Sequence, residues 1–170
     1  MISEKLMNAL NDQMNYEFYS AHVYLAMAGF CASEDLDGFS NFFIVQAEEE
    51  RFHAMKIFNY ISEMGGRVNI SSFEDPENEY ASILDVFKKG LAHERIVTKR
   101  IYDLTDLATE EREHATISFL KWFIDEQVEE ESNFGALVKK LERISENSNA
   151  LYMLDTELAQ RTFVPPTTQE

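Results

Sequence analysis

Glu50 and His53 stand three residues apart in the run Glu48-Glu49-Glu50-Arg51-Phe52-His53. On a helix that spacing aims a carboxylate and an imidazole at one point. Glu17, Glu94 and Glu130 occupy matching places in three other segments, with Gln127 three residues before the last of them. Each interrupts an otherwise apolar stripe. The stripes are Leu10, Met14, Glu17, Ala21, Tyr24, Ala28; then Phe39, Phe43, Gln46, Glu50, His53, Ile57, Tyr60, Met64. The third and fourth are Leu84, Phe87, Leu91, Glu94, Thr98, Ile101, Ala108, and Ile117, Leu120, Phe123, Gln127, Glu130, Phe134, Leu137, Leu141. Ionised carboxylates are costly in an apolar core unless they are paired, and no Lys or Arg falls on the stripes at that level. A multivalent cation is the natural counter-charge. Four Glu and one His, without thiolate, suit iron, manganese or magnesium better than structural zinc. So few donors shared by two ions leave positions open for oxygen chemistry.

The elements that must position these groups follow from the spacing of 3 and 4 along every stripe, the period of an amphipathic helix. Helices are expected at about 3–32, 37–64, 80–108, 110–144 and, shorter, 150–161, as one domain over 1–161 with a tail at 162–170. Proline occurs only at Pro76, Pro165 and Pro166, so nothing breaks the long segments. Asp35 or Asp37 is the expected cap of the second helix, Gly65-Gly66 its stop, and Thr109 the cap leading to the fourth. Two start signals compete for the third helix, Asp75 before Pro76 and Ser82 with Asp85, and both stay open. Ser145 to Asn149 breaks the fourth. The loop from Gly65 to Tyr80 reaches roughly 50 Å when extended, enough to run the length of a helix. It is read as a crossover joining the second and third helices in parallel. The expected fold is all-α, a four-helix bundle with that long crossover and a short fifth helix. Counted from the two hairpin turns, the acids of each helix pair face each other at mid-bundle.

Composition narrows the function classes. Asp plus Glu number 31 against 15 Lys plus Arg, a formal charge of −16 that argues against a nucleic-acid partner. Acidity of this kind serves solubility and also gathers cations. No apolar run approaches the ~20 residues of a membrane helix, and Met1 to Leu10 is too polar for a secretory signal. Cys31 is the single cysteine, which excludes an internal disulfide and a thiolate metal site and makes the cytoplasm the default compartment. His22, His93 and His114 fall off the stripes and are expected at the surface.

The chain resembles the bacterial non-haem ferritins over nearly its whole length. The motifs that carry the likeness are Tyr16-Glu17 with Tyr24, Glu48 to His53, His93-Glu94, and Trp122 with Glu126-Gln127-Val128-Glu129-Glu130. The resemblance implies iron storage and detoxification by a ferroxidase. It implies oxidation of iron(II) with O₂ or peroxide at a dinuclear centre, and deposition of ferric oxide inside a hollow shell of twenty-four subunits. By the same resemblance Glu17, Glu50 and His53 hold one iron, and Glu50, Glu94 and Glu130 the second. Gln127 lies beside them, and a weaker third site uses Glu49, Glu126, Glu129 and Glu130. Tyr24 is implied to supply or relay an electron, with Trp122 a lesser partner. Bacterioferritins and other di-iron carboxylate proteins carry a second Glu-x-x-His where this chain has Gln127-x-x-Glu130, which favours storage. Met55 is offset from the haem-binding methionine of bacterioferritins, so no haem is expected. Rubrerythrins need Cys-x-x-Cys pairs that are absent here. Two other functions remain open, a non-redox interaction bundle and a di-iron oxidase of an organic substrate.

Overall fold

The computed structural model describes residues 2–144 and 147–166. Among them the regular elements are all helical: α1 (Glu4–Ser33), α2 (Asp37–Glu63), α3 (Ile83–Glu110), α4 (His114–Ile144) and α5 (Ser148–Leu158). Part of the expected break after α4, Ser145 and Glu146, lies outside the described residues, as do Met1 and the end of the tail, 167–170.

α1 and α2 pack as one hairpin and α3 and α4 as the other. Contacts along the segment from Gly65 to Tyr80 show how the two are joined. Asn11 Nδ2 donates to the Arg67 carbonyl at 3.1 Å, and the Asn69 amide donates to Asn11 Oδ1 at 2.7 Å. One turn further along α1, Asn15 repeats the pattern with the Asn69 carbonyl and the Ser71 amide, at 2.8 and 2.9 Å. Phe73 then packs on Tyr19 and His22, and Tyr80 on Phe30. The segment therefore climbs α1 from its start to its end, and α3 sets off from the same end as α2. The expected parallel crossover is what the chain does. Two asparagine amides supply the partners that its extended backbone lacks.

Helix ends explain the remaining boundaries. α1, α2 and α3 all stop through the same carbonyl pattern, with Leu36 N donating to Cys31 O, Gly66 N to Ile61 O and Glu113 N to Ala108 O. The residue in the left-handed region is Asp35 (φ 57°), Gly65 (φ 74°) or Arg112 (φ 56°). Of the two start signals for α3, Ser82 is used: its hydroxyl accepts from Asp85 N at 3.1 Å while Asp85 accepts from Ala81 N at 3.0 Å. α3 thus begins at Ile83 rather than near 80. Thr109 does not cap α4; it lies inside α3 and donates to the Thr105 carbonyl. Neither Asp35 nor Asp37 caps α2. The residue before that helix is Leu36, which has no capping oxygen, and Asp155 of α5 accepts from Phe39 N at 2.9 Å instead. A carboxylate beside the free N–H groups and positive dipole end of α2 serves as well as a local cap.

The core divides in two. One apolar cluster holds Tyr24, Phe39, Phe43, Phe87 and Phe134 with Leu154 and Leu158 of α5, and the other holds Leu10, Met14, Ile57, Ile101, Leu120 and Phe123. Every one of the four long helices contributes to both, and the polar level separates them. α3 is rotated from its expected stripe. Val86, Gly90, His93, Val97 and Leu104 are buried, whereas Leu84, Leu91 and Thr98 are half-buried. Gly90 permits this rotation, because a Cβ there would meet the Phe134 ring at 2.5 Å.

α5 folds back on the start of α2. Asn41 Nδ2 donates to the Leu158 and Arg161 carbonyls at 3.0 Å each. A Cβ on Gly38 would stand 1.7 Å from the Asp155 carbonyl oxygen, which is backbone and cannot swing aside. Gly38→Ala is therefore expected to displace α5 and cost about 1–3 kcal/mol of stability. Chemical unfolding with limited proteolysis around residues 145–150 checks this, and a wild-type midpoint with no new cleavage would contradict the docking.

Candidate metal centre

The four acidic stripe residues are buried at one level of the bundle: Glu17 (α1), Glu50 (α2), Glu94 (α3) and Glu130 (α4), along with His53 and Gln127. One ligand atom each from Glu17, Glu50 and His53 lies within 4.8 Å of the others, close enough to share an ion. Among the described residues this is the one such group of three. Three of its oxygens, Glu17 Oε2 and both oxygens of Glu50, are buried without a hydrogen-bond donor. Orphaned carboxylate oxygens in a buried site are expensive, so they fit a cation better than a structural role. His53 Nδ1 approaches Glu50 Oε2 at 3.4 Å, and its other nitrogen faces Glu126 at 3.8 Å.

Glu94 and Glu130 are held differently. The Tyr24 hydroxyl donates to Glu94 Oε1, and Gln127 Nε2 donates to Glu94 Oε2 at 3.0 Å. Gln46 Nε2 donates to Glu130 Oε2 at 2.9 Å. Each of these carboxylates rests on a neighbour's donor, and neither belongs to the tight group of three. Gln127 is thus a donor to Glu94 in this structure, and Tyr24 touches the site through the same carboxylate.

Two amide relays tie the level to arginines. Arg100 Nε donates to Gln13 Oε1 at 3.0 Å, and Gln13 Nε2 donates to Glu17 Oε1 at 2.8 Å. Arg161, just beyond α5, donates to Gln46 Oε1 at 3.0 Å, and Gln46 passes its own N–H to Glu130. In both cases the arginine claims the amide oxygen and so points the amide nitrogen at a carboxylate. Gln13, Gln46, Arg100 and Arg161 were not among the sequence-derived site residues. Gln46 sat on a stripe at the right level and was the available signal; the arginines lie off every stripe.

His93 is a correction to the sequence reading. It is 8 % exposed rather than at the surface, because the rotation of α3 turns it inward. Its Nε2 meets Ser20 Oγ at 2.8 Å, and its ring stacks on Tyr16 and stands edge-on to Tyr24. Burial pushes it down to about 4, so it sits there neutral. His22 and His114 are exposed as expected. Of the residues implied for a third site, Glu49 and Glu126 are half-buried at the edge of the level. Glu129 is exposed and makes no ion pair or hydrogen bond among the described residues. Trp122 stands edge-on to His53, with ring centroids 5.4 Å apart.

Burial raises Glu50 well above the usual carboxylate range, with Glu94 and Glu17 adding repulsion and His53 opposing it. Burial likewise raises Glu94 to about 7 against the hydrogen bonds from Tyr24 and Gln127, and Glu130 to about 8. For His53 burial opposes the charge, but the Glu50 and Glu126 carboxylates outweigh it and hold the imidazole proton tightly. A metal ion entering here must displace protons. All these groups bind protons more tightly folded than unfolded, so stability present in mild acid is lost as pH rises through their raised values. The unfolding midpoint of the metal-free protein is expected to fall between about pH 5 and pH 8, and Glu94→Gln to flatten that slope. Denaturation across that range is the measurement, and a midpoint that climbs with pH would contradict the assignment.

A family described as the ferritin-like domain matches residues 7–144. The chain is 50% identical to the bacterial non-heme ferritin of Staphylococcus aureus (strain USA300) over 163 residues, 96% of this chain and 98% of that one. The bacterial non-heme ferritin of Staphylococcus saprophyticus is similar to the same extent. Among solved structures, an Archaeoglobus fulgidus ferritin engineered into a closed form superposes with a TM-score of 0.95 at 48% identity, covering 96% of this chain and all of that one. The open-pore ferritin of the same archaeon gives 0.94 at 48% identity, over 95% of this chain. Matched along four helices by the family and along nearly its whole length by these relatives, the chain belongs to the ferritin family.

Proposed function

We propose that this ferritin stores iron by oxidising it at the polar level of the bundle, as a ferroxidase. The observation that carries the reading is the convergence of Glu17, Glu50 and His53 from two helices, with three buried carboxylate oxygens left without donors. Iron is the substrate. Glu17, Glu50 and His53 take the first Fe(II); Glu50, Glu94 and Glu130 take the second. Glu50 is suited to bridge the two because neither of its oxygens accepts a hydrogen bond, whereas both oxygens of Glu94 and one of Glu130 already do. Each of the two Fe(II) gives one electron, and the pair of electrons with two protons from water reduces O₂ to hydrogen peroxide, or peroxide to two waters. Closely spaced carboxylates favour the higher charge of Fe(III), and the protons that leave Glu50, Glu94, Glu130 and His53 on loading go to solvent. In this reading Tyr24 steadies that ligand through its hydrogen bond to Glu94 and exchanges an electron with the centre.

Glu49, Glu126, Glu129 and Glu130 form a weaker third site on the way out. The ferric product is stored as a hydrated oxide inside a shell of twenty-four copies of this chain, in the cytoplasm. A net charge of −16 supports such a cation-gathering shell. Among the described residues, no helix is long and apolar enough to cross a membrane.

Aerobic addition of Fe(II) with a size measurement tests the reading. Rapid oxidation by a large hollow particle is expected. Oxidation by a small particle would point to a di-iron oxidase, and none at all to an interaction bundle. Glu50→Ala and His53→Ala are expected to slow the fast phase by at least about 100-fold while the shell still assembles. Wild-type rates in both variants would remove the site assignment.

A further inference from the structure

Among the described residues Arg161 is the one lysine or arginine whose side chain bonds both a third-site acid, Glu49, and the amide that donates to Glu130, Gln46. Its Nη2 donates to Glu49 Oε2 at 2.7 Å and to Gln46 Oε1 at 3.0 Å, and its Nη1 donates to the Phe42 carbonyl at 3.2 Å. The guanidinium also lies 4.4 Å from the centroid of the Phe42 ring. A planar fork held at four points is a built position, in contrast to the loose approach of an exposed ion pair. The position is set by the end of α5, where the Leu158 carbonyl and, just beyond the helix, the Arg161 carbonyl accept from Asn41.

We propose that Arg161 is a resident cation standing in for the third metal ion, so that iron loads Glu49 only when the guanidinium releases it. The inference rests on the ferroxidase reading above. Glu49 Oε2 cannot accept the Arg161 N–H and bind a metal with the same lone pairs, and two positive groups on one carboxylate repel. Gln46 adds a link to the dinuclear centre. While Arg161 holds its oxygen, its nitrogen faces Glu130 and occupies Oε2, the acid that the second and third sites share. Arg161 therefore restricts the outer site twice, by pairing Glu49 and by fixing Glu130. The matching arginine, Arg100, reaches Glu17 through Gln13 but pairs with Asp12, which belongs to no metal site, so it restricts nothing beyond the relay. Arg161 is a positioning residue, and its effect is on which ion positions fill.

The test is calorimetric titration of assembled protein with Fe(II) under exclusion of oxygen, comparing wild type with Arg161→Gln, Arg161→Lys and Arg100→Gln. Wild type is expected to fill two positions tightly and a third weakly. In Arg161→Gln the third is expected to tighten by about fivefold, the scale of one partly shielded ion pair. Arg161→Lys keeps the charge without the fork and should fall between the two. Unfolding midpoints show whether α5 has stayed docked. An unchanged third affinity in Arg161→Gln overturns the proposal, and so does an equal tightening in Arg100→Gln. A wild-type protein that binds no Fe(II) tightly would overturn the ferroxidase reading instead, which keeps the two failures apart.

Discussion

Four carboxylates and an imidazole share one buried level of this bundle, and the rest of the structure answers to that. Like charges at this range repel strongly, and burial removes the water that would screen them. The protein meets the cost in two ways. Tyr24, Gln127, Gln46 and Gln13 bring donors to Glu94, Glu130 and Glu17, while Glu50 keeps both oxygens free beside His53. The treatment is unequal within Glu17 too, where Oε1 accepts from Gln13 and Oε2 has no donor.

Rigidity comes from either side of that level. Aromatic rings of Phe43, Phe87 and Phe134 fill one apolar cluster, and Ile57, Ile101 and Phe123 help to fill the other. Because all four long helices enter both clusters, a shift at one end is resisted at the other, and the polar groups between them are clamped at fixed depth. The amide relays then reach from the clamp to Arg100 and Arg161, which connects a buried carboxylate to charge at the surface without exposing it to water.

Much of this was readable from residue order. The stripes of α1, α2 and α4 interrupt themselves at Glu17, Glu50 and Glu130, and these side chains do lie at one level, because a period of 3 and 4 is a strong statement about which face is inside. The loop length alone implied the parallel crossover. α3 was less legible. Its expected face ran through Leu84 and Leu91, but Gly90 lets the Phe134 ring come close and rotates His93 inward, and a glycine leaves no trace in a hydrophobic pattern. The cap of α2 was misplaced for a related reason: Asp155 is a cap supplied from another helix, and local spacing cannot see it; Thr109 was misplaced because α3 runs on through it to Glu110. Supporting residues such as Arg161 were invisible because their partners are set by packing and by no periodicity.

The bond between Asp155 and the start of α2 spans 116 positions of chain. Ribosomes make proteins from the N-terminus, so α2 emerges with its first N–H groups lacking that acceptor and waits until α5 has been synthesised. The α1–α2 hairpin can collapse early on its apolar faces, but its lock arrives last. A nascent subunit thus stays pliable at one end for most of its synthesis, and the element that finally stiffens it is also the one that delivers the guanidinium of Arg161 to Glu49.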